Sequence, residues 1–245
     1  MSKKLKKILI GIRSQQRLFR VLGMGGDIVD SLLDMRGAKG IDEDYFEQIS
    51  ISRDKEAYEV FNEEKGNSCK ITLDSIIITK KAVGDDSIDI KKFRKDVILF
   101  YEKIREILRI REINRVGIIF EFETPAGDTK NVNKFLYDNF LDYTHDGIPS
   151  NFTLKTAFKT PTKEGWTNPE DVKDYYNAIV QFGVKYGEER TPIEDLLFIS
   201  LDVQRYFHPP TKAKNGNLIG NHFDHSERHL NKFIEQMKEK GLDLD

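Results

Sequence analysis

The sequence predicts an α+β fold: mostly antiparallel sheet, in one or more sheets of six to seven strands, with a long amphipathic helix packed on it and a C-terminal helix. Three observations predict it. Strand-like runs come in blocks instead of alternating with helices, which points to antiparallel pairing. Residues 89–110 carry one helical apolar stripe. Sixteen Phe and nine Tyr among 245 residues are many rings to bury, and they suit a packed sheet. The expected organisation is a basic helical segment over 1–42 and an α+β domain over 43–245, readable as two lobes, 43–143 and 150–245.

The elements follow in order. Residues 7–12 (KILIGI) read as a short strand or the start of a helix. Gly23-Met24-Gly25-Gly26 reads as a turn between two short helices, the second carrying Ile28, Val29, Leu32 and Leu33 at helical spacing. Strand-like runs follow at 45–53, 57–62 and 69–83, the last rich in β-branched residues. Gly66-Asn67 supplies a turn before it. The helix over 89–110 repeats apolar residues at Ile90, Phe93, Val97, Phe100, Ile104, Ile107 and Leu108, and Asp86, Ser87 or Asp89 can cap it. Residues 115–123 are apolar on both faces early, which suits a central strand. A helix over 128–141, strands over 151–160, 174–186 and 195–207, and a last helix over 221–240 complete the reading.

The composition excludes several classes. A formal net charge of −2 removes a whole-protein basic field for nucleic acid. One cysteine, Cys69, rules out an intrachain disulfide framework and a Cys-rich zinc site, and its strand-like surroundings make it a packing residue. No apolar run approaches a membrane span. The expected location is the cytoplasm.

Four constellations bear on chemistry. Lys3, Lys4, Lys6, Lys7, Arg13, Arg17 and Arg20 precede the first carboxylate, Asp27, and form a candidate phosphate-binding segment, with Lys155, Lys159 and Lys163 as further candidates. A solvated basic tail is the plain alternative. His222, His225 and His229 share one side of the last helix, and His208 precedes it; together they are a candidate site for a divalent metal. The same spacing also describes a polar flank beside the core stripe. Glu121, Glu123 and Asp202 lie on strands as carboxylates of metal-dependent nucleases do, without the usual lysine two residues on. The glycine run at 23–26 lacks a third spaced glycine and a Gly-Lys-Ser/Thr, so it matches no phosphate loop.

The element order and three segments together resemble an uncharacterised bacterial family, sporadically distributed among genomes and of unknown function. Its members join a helix to a strand through an Arg-hydrophobic-Gly motif, here Arg115-Val116-Gly117. They carry a late strand of Leu-Asp-Ile-Asp-Val type, here Ile199-Ser200-Leu201-Asp202-Val203, and end in a helix opening near a histidine, here His229-Leu230. The similarity spans roughly residues 45–240. It implies an α+β protein, encoded beside mobile or defence-related genes, and carries over no catalytic residue.

Three functions follow as expectations. The first is a non-enzymatic interaction or recognition protein, self-associating or binding a protein partner, as in a bacterial antiviral-defence or toxin–antitoxin system. The second is a nucleic-acid binder using the basic N-terminal segment. The third is a metal-dependent hydrolase or nuclease using the histidine cluster.

Overall fold

The computed structural model describes residues 5–38, 40–84, 86–125, 131–141, 152–162, 173–186 and 192–244. Among these residues nine strands form one antiparallel sheet, and four helices accompany it. The strands are β1 (Leu5–Ser14), β2 (Gln48–Ile51), β3 (Ala57–Asn62), β4 (Asn67–Thr72), β5 (Ser75–Lys81), β6 (Glu112–Pro125), β7 (Leu154–Pro161), β8 (Tyr175–Tyr186) and β9 (Pro192–Lys212). The helices are α1 (Arg20–Leu33), α2 (Ile90–Leu108), α3 (Val132–Phe140) and α4 (Asn217–Glu239). The spatial order is β2-β3-β4-β5-β1-β6-β9-β8-β7.

This corrects the expected six to seven strands under one long helix. The count rises for two reasons: residues 7–12, readable as a strand or a helix start, form a strand, and the single run predicted over 69–83 forms two. The basic start of the chain is β1, hydrogen-bonded between β5 and β6 at the middle of the sheet, so residues 1–42 do not stand apart as a helical segment. The long run over 69–83 is two strands folded back at Leu73-Asp74. Thr72 Oγ1 makes that reversal by accepting the backbone N–H of Ser75 at 3.1 Å and of Asp74 at 3.4 Å. A short polar side chain offering the backbone local hydrogen bonds is a turn former, and β-branched neighbours on both sides hid it. The helix drawn over 89–110 is α2, one of four helices sharing the sheet instead of a single one laid across it. Asp89 caps it, accepting from Lys92 N at 3.0 Å.

The glycine run at 23–26 is inside α1, not between helices. Gly25 faces inward. A Cβ there would lie 1.8 Å from the Tyr58 ring, so the glycine lets α1 settle against β3.

Alternation along each strand sorts the sheet into two faces. Ile8, Ile10 and Ile12 of β1, Ile118, Phe120 and Phe122 of β6, and Leu197, Ile199, Leu201 and Val203 of β9 are all buried. The helices lie against this face. Phe182 of β8 meets Phe140 of α3 at 5.0 Å and Phe233 of α4 at 6.2 Å, and Phe93 of α2 meets Phe223 of α4 at 6.1 Å. The opposite face presents Leu9, Gly11 and Arg13, then Arg115, Gly117 and Ile119, then Asp202, Gln204 and Tyr206. No described helix covers it. Among the described residues no helix is long and apolar enough to cross a membrane.

Candidate functional site

The open face has a recess at its centre, and the recess has a simple cause. Gly11 of β1 and Gly117 of β6 are direct cross-strand partners, so two neighbouring side chains are missing from one spot on the sheet. The groove above them has a volume of about 330 Å³. Leu9, Ile77 and Ile119 give it apolar flanks, and Arg13, Arg115, Asp202 and Gln204 stand at its polar side.

The two glycines differ. At Gly117 an added Cβ would come within 3.3 Å of Gln204 Cγ, so packing helps to select glycine there. At Gly11 an added Cβ would meet nothing within 4 Å. Glycine in a strand interior forgoes about 0.5–1 kcal/mol relative to alanine. No crowding among the described residues accounts for Gly11, the β1–β6 register runs unbroken through it, and a strand glycine without a bulge often marks a place where something else approaches the backbone.

One row of side chains leads away from the groove across four strands. Arg13 pairs with Arg115, Arg115 with Tyr206, and Tyr206 with Tyr175, each directly across the sheet. Like charges placed opposite each other are unfavourable. Arg13 has a carboxylate neighbour, Asp74, at 3.3 Å in an exposed pair. Arg115 has none at salt-bridge distance among the described residues. Its guanidinium sits 5.7 Å from the Tyr206 ring centroid instead. The Tyr206 and Tyr175 rings stack at 4.7 Å and 16°, and Lys159 Nζ closes the row 4.3 Å from the Tyr175 centroid. The array is therefore cation, ring, ring, cation, with the positive ends held over π faces.

Hydrogen bonds run along the same surface. Arg115 Nη1 donates to Tyr206 Oη at 3.4 Å, Tyr206 Oη donates to Gln204 Oε1 at 2.7 Å, and Gln204 Nε2 donates to the Asp202 carboxylate. Burial raises the Asp202 pKa above its ordinary value despite the Gln204 hydrogen bond and the charges of Arg115 and Lys155.

The predicted site residues are scattered by comparison. Lys3, Lys4 and Lys163 lie outside the described residues. Lys6 sits at the bulged start of β1, and Lys7 Nζ reaches Glu121 Oε1 at 2.8 Å. Arg17 lies over Phe19, and Arg20 donates to Ile107 O at 3.0 Å. Of the five that are described, Arg13 alone lines the groove; Lys155 and Lys159 of β7 share its face. Glu121 and Glu123 pair with Lys7 and Lys185.

The histidines do not gather as a metal site. Among the described residues no group of three His, Cys, Asp or Glu side chains is placed to hold an ion. His222 is buried, with Nε2 3.1 Å from Val203 O. His225 stacks on Tyr176 at 3.8 Å, and His229 lies beside it at 4.6 Å. His208 is an exposed residue of β9. Asp224, on the same helix, is ion-paired with Arg94 of α2. Burial pushes both His222 and His225 down to about 4. Cys69 is a buried free thiol whose pKa burial drives far up, which fits a packing residue.

Sequence reasoning missed Gly11, Arg115, Tyr175 and Tyr206 as a group. The one local signal was a glycine breaking an otherwise β-branched run, Ile8-Leu9-Ile10-Gly11-Ile12. Pairing of distant strands carries the rest. Two of the three segments noted for their resemblance, around Arg115–Gly117 and Asp202, meet at this groove. The chain matches no protein-family model and no curated protein.

Proposed function

We propose that this is a non-enzymatic recognition protein of the cytoplasm, and that it holds its partner on the open face of the sheet. Gly11 carries the reading. It sits mid-strand at the centre of the sheet, beneath a groove, where the chain's own packing leaves room for a side chain. The surrounding chemistry supports binding: the groove lining offers the guanidinium groups of Arg13 and Arg115, the Gln204 carboxamide, the Ser75 hydroxyl and the carboxylates of Asp74 and Asp202. A cytoplasmic setting suits a chain whose one thiol is reduced and buried.

The test uses Gly11→Val, which fills the groove from its floor. The variant is expected to melt at or above the wild-type temperature, because a β-branched residue suits a strand and its Cβ meets nothing within 4 Å. Both proteins, immobilised side by side, are exposed to native extract. A component retained by the wild type and lost by the folded variant supports the reading. Equal retention by both overturns it.

A further inference from the structure

We infer that the open-face groove binds single-stranded nucleic acid, one base lying on the Gly11–Gly117 floor and the adjoining phosphates held by Arg13 and Arg115. This rests on the reading of the open face as the binding surface.

The argument begins with charge. Arg13 and Arg115 are adjacent on neighbouring strands, and only one of them has a carboxylate within reach. The Arg13–Asp74 pair is half-exposed on both sides, so it exchanges readily for another anion. Lys159 and Lys155 extend the positive row over β7. The carboxylates on this part of the face are engaged: Asp74 with Arg13, Asp202 with Gln204, Glu121 with Lys7 and Glu123 with Lys185. An anion that bridges Arg13 and Arg115 removes their mutual repulsion.

Shape then selects among anions. The groove between the arginines and Leu9, Ile77 and Ile119 is flat-floored, because two backbones without Cβ atoms form its base. A planar, apolar-faced ring with polar edges fits that space, and Gln204 stands at its side to meet such edges. The tyrosines do not offer their outer faces, since Arg115 covers Tyr206 and Lys159 covers Tyr175. The base therefore takes the glycine floor, and the strand runs on toward Lys159, with the Tyr206 and Tyr175 edges beneath it. From β1 to β7 the row is about 19 Å wide at ordinary strand spacing, enough for several nucleotides. An antiparallel sheet face is a recurrent platform for unpaired bases, and here the base takes the glycine floor in place of an aromatic ring. A duplex keeps its bases stacked and cannot lay one on the floor. An acidic peptide would use the cations but leave the flat apolar recess unfilled.

The experiment is fluorescence anisotropy with the full chain and end-labelled 12-nucleotide oligo-dT and oligo-rU, a 12-base-pair duplex, and poly-glutamate as competitor. The expected result is binding of a single strand at least tenfold tighter than the duplex. Two arginine–phosphate contacts predict a log–log salt slope of about −1.4. Arg115→Gln and Arg13→Gln should each weaken binding about tenfold and flatten the slope by about 0.7. Gly11→Val, with an unchanged melting temperature, should lose binding at least tenfold. No binding of either single strand at 50 mM salt, on the order of ordinary low-salt conditions, overturns the inference. So does duplex binding of equal strength, or poly-glutamate that displaces the strand at equal charge concentration. If Gly11→Val still loses its retained component from extract while oligonucleotides fail to bind, the nucleic-acid assignment falls and the recognition surface stands. If Gly11→Val alters neither, both fall.

Discussion

Glycines at three kinds of position show how far a residue's meaning depends on what surrounds it. Gly25 is a packing glycine: its missing Cβ is where the Tyr58 ring sits, at 1.8–2.3 Å from the built position. Gly23 and Gly26, on the exposed side of the same helix, have nothing within 4 Å. Gly25→Ala must therefore displace a buried ring and should destabilise by about 2–3 kcal/mol, the range for overpacking a core. Gly26→Ala or Gly23→Ala should instead stabilise by about 1 kcal/mol, the helix-interior advantage of alanine. Chemical unfolding of the three variants separates the two effects, and equal changes at all three positions would contradict the packing account. Gly11 is a third kind, open above and unexplained by packing. The pattern Gly-Met-Gly-Gly alone distinguishes none of these roles; at this scale it suggested a turn, whereas the helix pays the propensity cost to bring α1 onto β3.

At the scale of elements, the amphipathic pattern located α2 well, because a stripe of seven apolar residues specifies one face without reference to partners. The cap could be narrowed from three candidates only by the backbone, which turns helical after Asp89. The β4–β5 hairpin went unrecognised because its reversal rests on one hydroxyl. Thr72 Oγ1 serves the N–H groups of Asp74 and Ser75 and lies 2.8 Å from Ser75 Oγ. Thr72→Val keeps the shape and β-branching but removes those bonds. It should lower stability by about 1 kcal/mol, the ordinary net value of a lost hydrogen-bond group. Urea unfolding should show a lower midpoint with an unchanged slope; an unchanged midpoint would mean the turn is held by strand pairing alone. The basic N-terminal segment shows the reverse case. Its charges suggested a separate tail, but alternating Ile8, Ile10 and Ile12 is the pattern of a strand with one buried face, and pairing on both sides uses it.

The whole molecule has a pH dependence set by opposed buried groups. His222 and His225 are held at about 4, below the ordinary 6.5, chiefly by burial. The unfolded chain therefore binds more protons than the folded one between those values, and stability is lost as pH falls from about 6.5 toward 4. Asp96 is pushed up to about 6 from 3.8, again chiefly by burial. There the folded chain binds more protons, and stability falls as pH rises through the same window. His229 is shifted down and Asp202 up, also chiefly by burial, so three histidines oppose two carboxyls and the melting temperature should drop between pH 6.5 and 4.5. Asp96→Asn removes part of the counterweight and should steepen the drop; His222→Gln should flatten it. A melting temperature that rises on acidification would show that the carboxyls dominate.

The sequence by itself determined the α+β class, the antiparallel habit, the register of apolar residues on most strands and the place of α2 and α4, because periodicity and turn chemistry act over a few residues. It also marked Arg13, Lys155 and Lys159 as cations of interest. Only the tertiary structure decided that one sheet holds all nine strands with β1 at its middle, that Arg13 stands beside Arg115 over paired glycines, and that His222 is buried against Val203 and not aimed at an ion. The physical reason is sequence distance. Gly11 and Gly117, or Arg115 and Tyr206, become neighbours through backbone hydrogen bonds between strands far apart in the chain. A groove made by two absent side chains leaves no local pattern in either strand.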